Sequence, residues 1–139
     1  WKAGIEMVSQ NPIFGVEINN LKEELTLYGW QMRIPTLTKG KAAHNMFLSV
    51  AVETGIPGLI ILLLVLIFAF KYVLQYMKTR KSNLVVAYCI LASLLIFSIE
   101  GLFADIHRMA SFWIMIGLAK AISRVSHNDK TEIEKELRV

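Results

Sequence analysis

The chain has 139 residues, of which 55% are hydrophobic and 19% are charged. Soluble domains average roughly 45–50% apolar and about 25% charged residues, so this composition excludes a mainly disordered chain and favours a membrane protein. A single cysteine, Cys89, excludes an intrachain disulfide and a multi-cysteine zinc site. The net charge of +4 is more typical of the cytoplasmic loops of a membrane protein than of a nucleic-acid partner. The first residue is Trp1 rather than methionine, and it already belongs to a sequence pattern that begins before it. We therefore expect this chain to be the C-terminal part of a longer protein.

Residues 1–53 are mostly polar and predict short helices joined by loops. Trp1, Ile5 and Val8 recur at helical spacing before a break at Asn11-Pro12-Ile13-Phe14-Gly15. Two further helical patterns and one loop follow: the helices are expected at 19–27 and 42–54, and the loop at 36–40. Pro57 then suits the first turn of the next helix, where its missing N–H costs nothing.

Three uncharged stretches come next. Residues 54–70 and 82–99 contain no charged side chain, and each reaches the roughly 20 helical residues that a bilayer core needs once one flanking charge is tolerated. The third stretch, 109–119, is shorter and spans the bilayer if Arg108 and Lys120 extend to the headgroups. The sequence therefore predicts an all-α fold, a polytopic membrane helix bundle preceded by an outer-face loop segment that contains short helices.

Basic residues set the expected orientation. The link after the first span carries Lys71, Lys78, Arg80 and Lys81 without an acidic residue, which is typical of a cytoplasmic loop under the positive-inside rule. We therefore expect an extracytoplasmic segment over 1–53, a membrane domain over 54–123 and a cytoplasmic tail over 124–139. The three spans are expected at about 56–77, 84–104 and 107–123.

Familiar catalytic motifs do not occur in the sequence. Gly40-Lys41 lacks the other residues of a phosphate-binding P-loop, and no HExxH or Gly-x-Ser-x-Gly pattern is found. What stands out is His44-Asn45, which follows Lys39 and Lys41 at the start of an apolar helix. A helix N-terminus attracts anions, and a neutral imidazole beside an anion-binding surface suits a general base. The alternative is an interfacial histidine that makes one structural hydrogen bond.

The spacing around this pair resembles a known family. His44-Asn45, nine residues and then Gly55-x-x-Gly58 resembles the signature of the O-antigen ligase family, directly before a membrane span. The segment 11–16, Asn-Pro-Ile-Phe-Gly-Val, resembles the part that precedes the signature in the same superfamily. Leu59-Ile60 departs from the Thr-Thr of many ligases, and Glu17 replaces a common glycine. These departures leave ligase and polymerase open as subgroups.

The resemblance implies an activity and its partners. Members are polytopic glycosyltransferases of the bacterial cytoplasmic (inner) membrane that take a glycan from an undecaprenyl-diphosphate carrier on the outer face. They transfer it to a hydroxyl of lipid A core or of another glycan, without a metal or other cofactor. His44 then corresponds to the base that activates the acceptor, within an extracytoplasmic catalytic loop. In the family, arginines hold the diphosphate, and at least one of them is expected upstream of Trp1, so this chain alone would hold an incomplete active site.

Several other polar residues are candidates for the site. Arg33, Lys39 and Lys41 could bind the diphosphate, and Asn45 could bind a sugar or fix the loop. Glu53 lies nine residues after His44 and so on the opposite face of a continuous helix, where it would not orient His44 directly. Three more charged residues could line the outer cavity, Glu100, Asp105 and Arg108. The alternative for Glu100 is a local pair with Arg108.

A different class of function is a non-catalytic transporter or assembly subunit in which residues 1–53 serve only as a lid. A transporter would be expected to place polar or broken-helix residues near the centre of a span. Here the first two predicted spans are apolar at their centres, and the polar cluster lies outside them. This distribution favours chemistry at the membrane surface.

Overall fold

The computed structural model describes residues 1–16, 18, 21–31, 44–79 and 84–136. All regular secondary structure in these ranges is helical, which confirms the predicted all-α class. The elements are α1 (Lys2–Gln10), α2 (Leu21–Gln31), α3 (Met46–Thr79), α4 (Val85–Glu100), a short 3-10 helix (Ile106–Arg108) and α5 (Ala110–Glu136).

The two short N-terminal helices occur where the sequence predicts them, although α2 begins two residues later and ends four residues later. The third predicted helix was expected from Ala42, and this is wrong at its start, because α3 begins at Met46. His44 has a φ of +48°, in the left-handed region that no α-helical residue occupies. The loop predicted at 36–40 lies outside the described residues.

The helices of the predicted membrane domain differ from the expected spans in length. Of the described helices, α3 is long and apolar enough to cross a membrane. The second helix stops at Glu100, four residues before the predicted end of its span, because the N–H groups of Leu102, Phe103 and Ala104 turn back to the carbonyls of Ile99 and Glu100. The third begins at Ala110 and continues to Glu136, so most of the predicted third span and the tail up to Glu136 form one helix. Membrane crossing by α4 and α5 and the orientation of 1–53 stay predictions.

The chain divides into two compact units. The first, here called the motif unit, contains residues 1–63 and 99–108. Its core joins α1, α2 and the first part of α3 through three buried side chains, Met7, Leu25 and Val52. Ala3, Val8, Val16 and Leu48 pack around them. The short helices predicted for residues 1–53 therefore have a small core of their own.

The second unit, here called the apolar unit, contains residues 64–98 and 109–139. Small and branched side chains from three helices form its core: Ala69, Val73, Ala87, Ile90, Leu94 and Ala119. Small residues at these contacts let helix backbones approach closely. The Phe112 ring meets Phe97 edge-on with 6.1 Å between ring centroids, and Lys120 Nζ lies 4.0 Å above the centre of the Tyr72 ring.

Helix α3 is interrupted at Gly55. This residue has φ +73° and ψ −175°, a conformation that is essentially restricted to glycine. Pro57 therefore falls in the first turn after the interruption, as the sequence predicts. The interruption separates a short N-terminal part of α3, from 46 to 54, from the long apolar part that follows.

Candidate active site

Asn45 is the N-cap of α3, and both ends of its side-chain amide are used. The oxygen Oδ1 accepts a hydrogen bond from the Leu48 N–H at 2.9 Å, and Nδ2 donates to the Leu102 carbonyl at 3.1 Å. The Asn45 carbonyl accepts the first bond of the helix, from the Ser49 N–H. Asparagine is among the preferred N-cap residues because its side chain satisfies an otherwise unpaired helix N–H. The amide is buried, so Asn45 fixes the start of the helix and ties it to residue 102.

His44 precedes this cap directly and is exposed. Its backbone adopts the left-handed conformation, which is uncommon for any residue other than glycine. The exposed imidazole thus stands at the N-terminal end of α3, where the helix dipole favours negative charge. This position suits a side chain that contacts a substrate next to a bound anionic group.

The turn at 11–15 docks on the interruption of α3. The Val16 N–H donates to the Val52 carbonyl and the Ile56 N–H donates to the Pro12 carbonyl, both at 2.8 Å. Gly15 has a φ of +67° and lies so close that a Cβ there would come within 2.5 Å of the Val52 oxygen. A Cβ at Gly55 would likewise collide with the Ile13 carbonyl. The first glycine of the signature, Gly55, and the Asn-Pro-Ile-Phe-Gly turn therefore pack directly against each other through their backbones.

A second segment, 101–108, runs along the same part of α3. At its start the Met46 N–H donates to the Gly101 carbonyl at 2.7 Å. One turn further the Ser49 hydroxyl donates to Asp105 Oδ1. After another turn the Arg108 guanidinium donates to Glu53 Oε1 in an ion pair. We call residues 101–108 the brace segment.

The helix residues that contact the brace segment share one face. Asn45, Ser49 and Glu53 are four residues apart, a spacing that brings side chains to one side of a helix. All three are buried, with 9%, 0% and 4% of their surface exposed. They form a polar stripe on a helix that is otherwise mostly apolar, and each member has a polar partner at 102, 105 or 108. Buried polar groups are tolerated because they are paired in this way.

Charge in this region is concentrated on the brace segment. The Glu53 carboxylate is almost fully buried and is balanced by Arg108, whose side chain is 43% exposed. Burial lowers the pKa of His107 below its ordinary value of 6.5, and the neighbouring Arg108 charge lowers it further. Asp105 and Glu53 act in the opposite direction. The imidazole of His107 is consequently held in its neutral form near neutral pH.

The structure brings together only part of the predicted site. His44 and Asn45 lie side by side at the cap, whereas the diphosphate-binding candidates Arg33, Lys39 and Lys41 lie outside the described residues. Sequence reasoning missed the contacts of Ser49 and Glu53 with the brace segment, and it offered Glu100 as a possible partner of Arg108, for which the structure shows Glu53. The signal available was the four-residue spacing of the polar stripe. Within the described ranges, no cluster of three potential metal ligands is found.

An apolar cavity of about 270 Å³ opens beside Asn45. Six side chains from the N-terminal residue, α1 and α3 line it together with Asn45: Trp1, Ile5, Phe47, Leu48, Ala51 and Leu59. It belongs to the motif unit alone. Its lining suits a hydrocarbon group more than a sugar, because it offers few polar partners.

Comparison with known proteins gives one result. The sequence model of the family described as O-antigen ligase matches residues 1–63, which include the turn at 11–15, His44-Asn45 and both glycines of the signature. No curated protein and no solved structure matches the chain. The match indicates a membrane-associated, glycosyltransferase-type role in O-antigen biosynthesis, a process that uses lipid-linked glycans and polysaccharide acceptors in general. Over residues 1–63 of its 139 residues, the chain is therefore similar to the O-antigen ligase family.

Proposed function

We propose that this protein transfers a glycan from an undecaprenyl-diphosphate carrier to an acceptor hydroxyl at the outer face of the bacterial inner membrane, with His44 as the general base. The observation that carries the proposal is the family match over 1–63, which contains His44 in its signature. The geometry supports it, because His44 is exposed at the end of a helix whose cap is fixed by Asn45. An exposed, well-positioned imidazole is what a general base requires.

The proposed reaction has one nucleophile and one leaving group. The acceptor oxygen bonds to the anomeric carbon of the donor glycan while the bond from that carbon to the diphosphate oxygen breaks. His44 takes the proton of the acceptor hydroxyl, and undecaprenyl diphosphate leaves with the electron pair. The helix N-terminus next to His44 favours the negative charge that accumulates on the departing diphosphate.

The diphosphate and the isoprenoid chain of the donor are assigned to different groups of the protein. Arg33, Lys39 and Lys41 are proposed to hold the diphosphate, and Arg33 is the strongest of these because its planar fork matches phosphate geometry. The apolar cavity beside Asn45 suits the isoprenoid part of the carrier. The acceptor is a hydroxyl of lipid A core in a ligase, or of a second lipid-linked glycan in a polymerase of the same superfamily.

Transfer by the purified full-length protein tests the role of His44. A positioned base contributes about 10²–10⁴-fold to rate, so His44→Ala is expected to lose activity by that factor. His44→Gln keeps a hydrogen-bonding side chain but cannot take up the proton, and it should be as inactive. Lys2→Ala, which removes an exposed cation from α1 in the same unit, is the matched control and should keep full turnover.

The donor is a synthetic undecaprenyl-diphosphate glycan, supplied with either lipid A core or unmodified donor as acceptor. Product on the first acceptor assigns a ligase, and product on the second assigns a polymerase. Full turnover in His44→Gln would remove the general-base role. Full turnover in His44→Ala as well would leave this histidine with a structural role only.

A further inference from the structure

The contacts between the polar stripe and the brace segment lead toward His44. They begin at Met46 and Asn45, the two residues that follow His44 in the chain, and they continue to Glu53. Each contact joins two groups of this protein, so none requires a substrate. The last contact, at Glu53, lies about two turns away from Asn45 along the helix, since eight residues rise roughly 12 Å.

Asn45 connects this network to the proposed base. The left-handed backbone of His44 is unfavourable for a residue with a Cβ and persists only where its surroundings hold it. The next residue is itself anchored, because the Asn45 amide is bonded to Leu48 on one side and to Leu102 on the other. An amide used at both ends and buried in the protein is poorly placed to bind a sugar.

We propose that the brace segment 101–108 is a positioning element of the active site, which acts through Asn45 to hold the backbone of His44 in its left-handed conformation. Asn45 and Asp105 are then positioning residues, and neither contacts the glycan. This inference rests on the proposed function, in which His44 is the base. It places residues beyond the family match in the working site, since the match ends at 63.

The critical variant is Asn45→Asp. A carboxylate keeps the acceptor that caps the Leu48 N–H and is itself a preferred N-cap, but it cannot donate to the Leu102 carbonyl. We expect kcat for glycan transfer to fall by about 10- to 100-fold, because a misplacement of about 1 Å of a catalytic group has an effect of this size. The KM for the acceptor should stay unchanged, whereas loss of a direct sugar contact would raise it.

A double-mutant cycle with His44→Ala separates positioning from binding. If Asn45 acts through His44, the double variant is as slow as His44→Ala alone in single-turnover assays with radiolabelled donor. Additive losses, or a rise in KM without a fall in kcat, would overturn the inference and leave the proposed function intact. Full activity of His44→Ala would overturn both.

A second pair of variants tests the other end of the network and does not alter the cap. Ser49→Ala removes the donor to Asp105, and we expect kcat to fall by about three- to tenfold. Asp105→Asn keeps an acceptor oxygen and should stay within about twofold of wild type, whereas Asp105→Ala should resemble Ser49→Ala. Ser9→Ala, at an exposed serine that bonds only within α1, is the matched control. Wild-type kcat in both Ser49→Ala and Asp105→Ala would overturn the inference. This test remains decisive even if Asn45→Asp fails to fold.

Discussion

The two units of this chain are each stabilised internally by a different kind of interaction. The motif unit depends on specific polar and backbone contacts. These are the close backbone packing at Gly15 and Gly55, the hydrogen bond of the Asn45 amide and the ion pair of Glu53. In the apolar unit, the core consists of alanine, valine, isoleucine and leucine side chains. The hydroxyl groups of Ser93 and Ser98 in this unit bond to their own helix, because they donate to the carbonyls four residues earlier.

The difference shows where the sequence is under tight structural constraint. Apolar packing tolerates changes that conserve volume, usually at a cost below about 1.5 kcal/mol. A directional contact between buried polar groups, or a glycine in a conformation closed to other residues, has no equivalent substitute. Sequence change should therefore be costly in the motif unit and mild in the apolar unit.

The largest expected effect is at the interruption of α3. Gly55→Ala places a Cβ against the Ile13 carbonyl and forces alanine into a conformation reserved for glycine. We expect a loss of about 3 kcal/mol or more in the free energy of unfolding. Fluorescence-detected size-exclusion chromatography, followed by thermal melting in detergent, would measure it.

The control for this change is a glycine in the apolar unit. A Cβ at Gly117 meets no atom within 4 Å, and this residue lies inside helix α5. Gly117→Ala should be neutral or stabilising by up to about 1 kcal/mol, because alanine favours a helix. Equal stability of the two alanine variants would show that the contact at Gly55 does not hold the motif unit together.

An intermediate effect is expected at the ion pair. Arg108→Ala leaves the nearly fully buried Glu53 carboxylate without this partner, and breaking a buried pair on one side costs about 3–5 kcal/mol. We expect the low end of that range, about 3 kcal/mol, because Arg108 is 43% exposed. The double variant Arg108→Ala with Glu53→Gln should recover part of the loss, since it removes the unpaired charge.

Urea or thermal unfolding of the four proteins in this cycle would give the coupling energy. Arg124→Ala, at an exposed arginine of α5, is the control and should change stability by less than about 0.5 kcal/mol. If Arg108→Ala changed the free energy of unfolding as little as Arg124→Ala, the ion pair with Glu53 would make no measurable contribution to stability.

The smallest effect concerns pH. Because the pKa of His107 is lowered in the folded protein, the unfolded chain binds a proton first as the pH falls below 6.5. The contribution of His107 to stability is therefore complete above that pH and is lost as the pH falls toward the lowered pKa. His107→Gln should flatten the fall in melting temperature between pH 7 and pH 5. An unchanged pH profile in this variant would assign the acid sensitivity to other groups.

The helices and the interruption of α3 could be predicted from local sequence. The apolar periodicity of α1, the Asn-Pro-Ile-Phe-Gly break and the glycine before Pro57 each report on their own neighbourhood. The start of α3 was predicted four residues early, because the apolar pattern continues through Ala42 and Ala43. The strong N-cap preference of asparagine at position 45 was the signal for the true start.

The brace segment could not be predicted, for a different reason. Ser49 and Asp105 are 56 residues apart in the chain, and Glu53 and Arg108 are 55 apart. The polar stripe indicates that this face of the helix needs polar partners, but it does not identify them. A local pair of Glu100 with Arg108 was the simplest expectation from sequence distance, whereas the partner shown for Arg108 is Glu53 on α3.

The anchoring of Val16 and Asn45 has a consequence for how such proteins diversify. Both residues are bonded to the same short stretch of α3, Val16 to the Val52 carbonyl and Asn45 to the Leu48 N–H. The chain between them therefore starts and finishes on one rigid support, and Leu25 in the motif-unit core is a further point of attachment. Doubling the length of a closed loop costs only about 0.6 kcal/mol. Insertions between Val16 and Asn45 should thus cost little stability and leave the frame that presents His44 unaltered, provided that an apolar side chain fills the place of Leu25 and the proposed diphosphate-binding residues are kept.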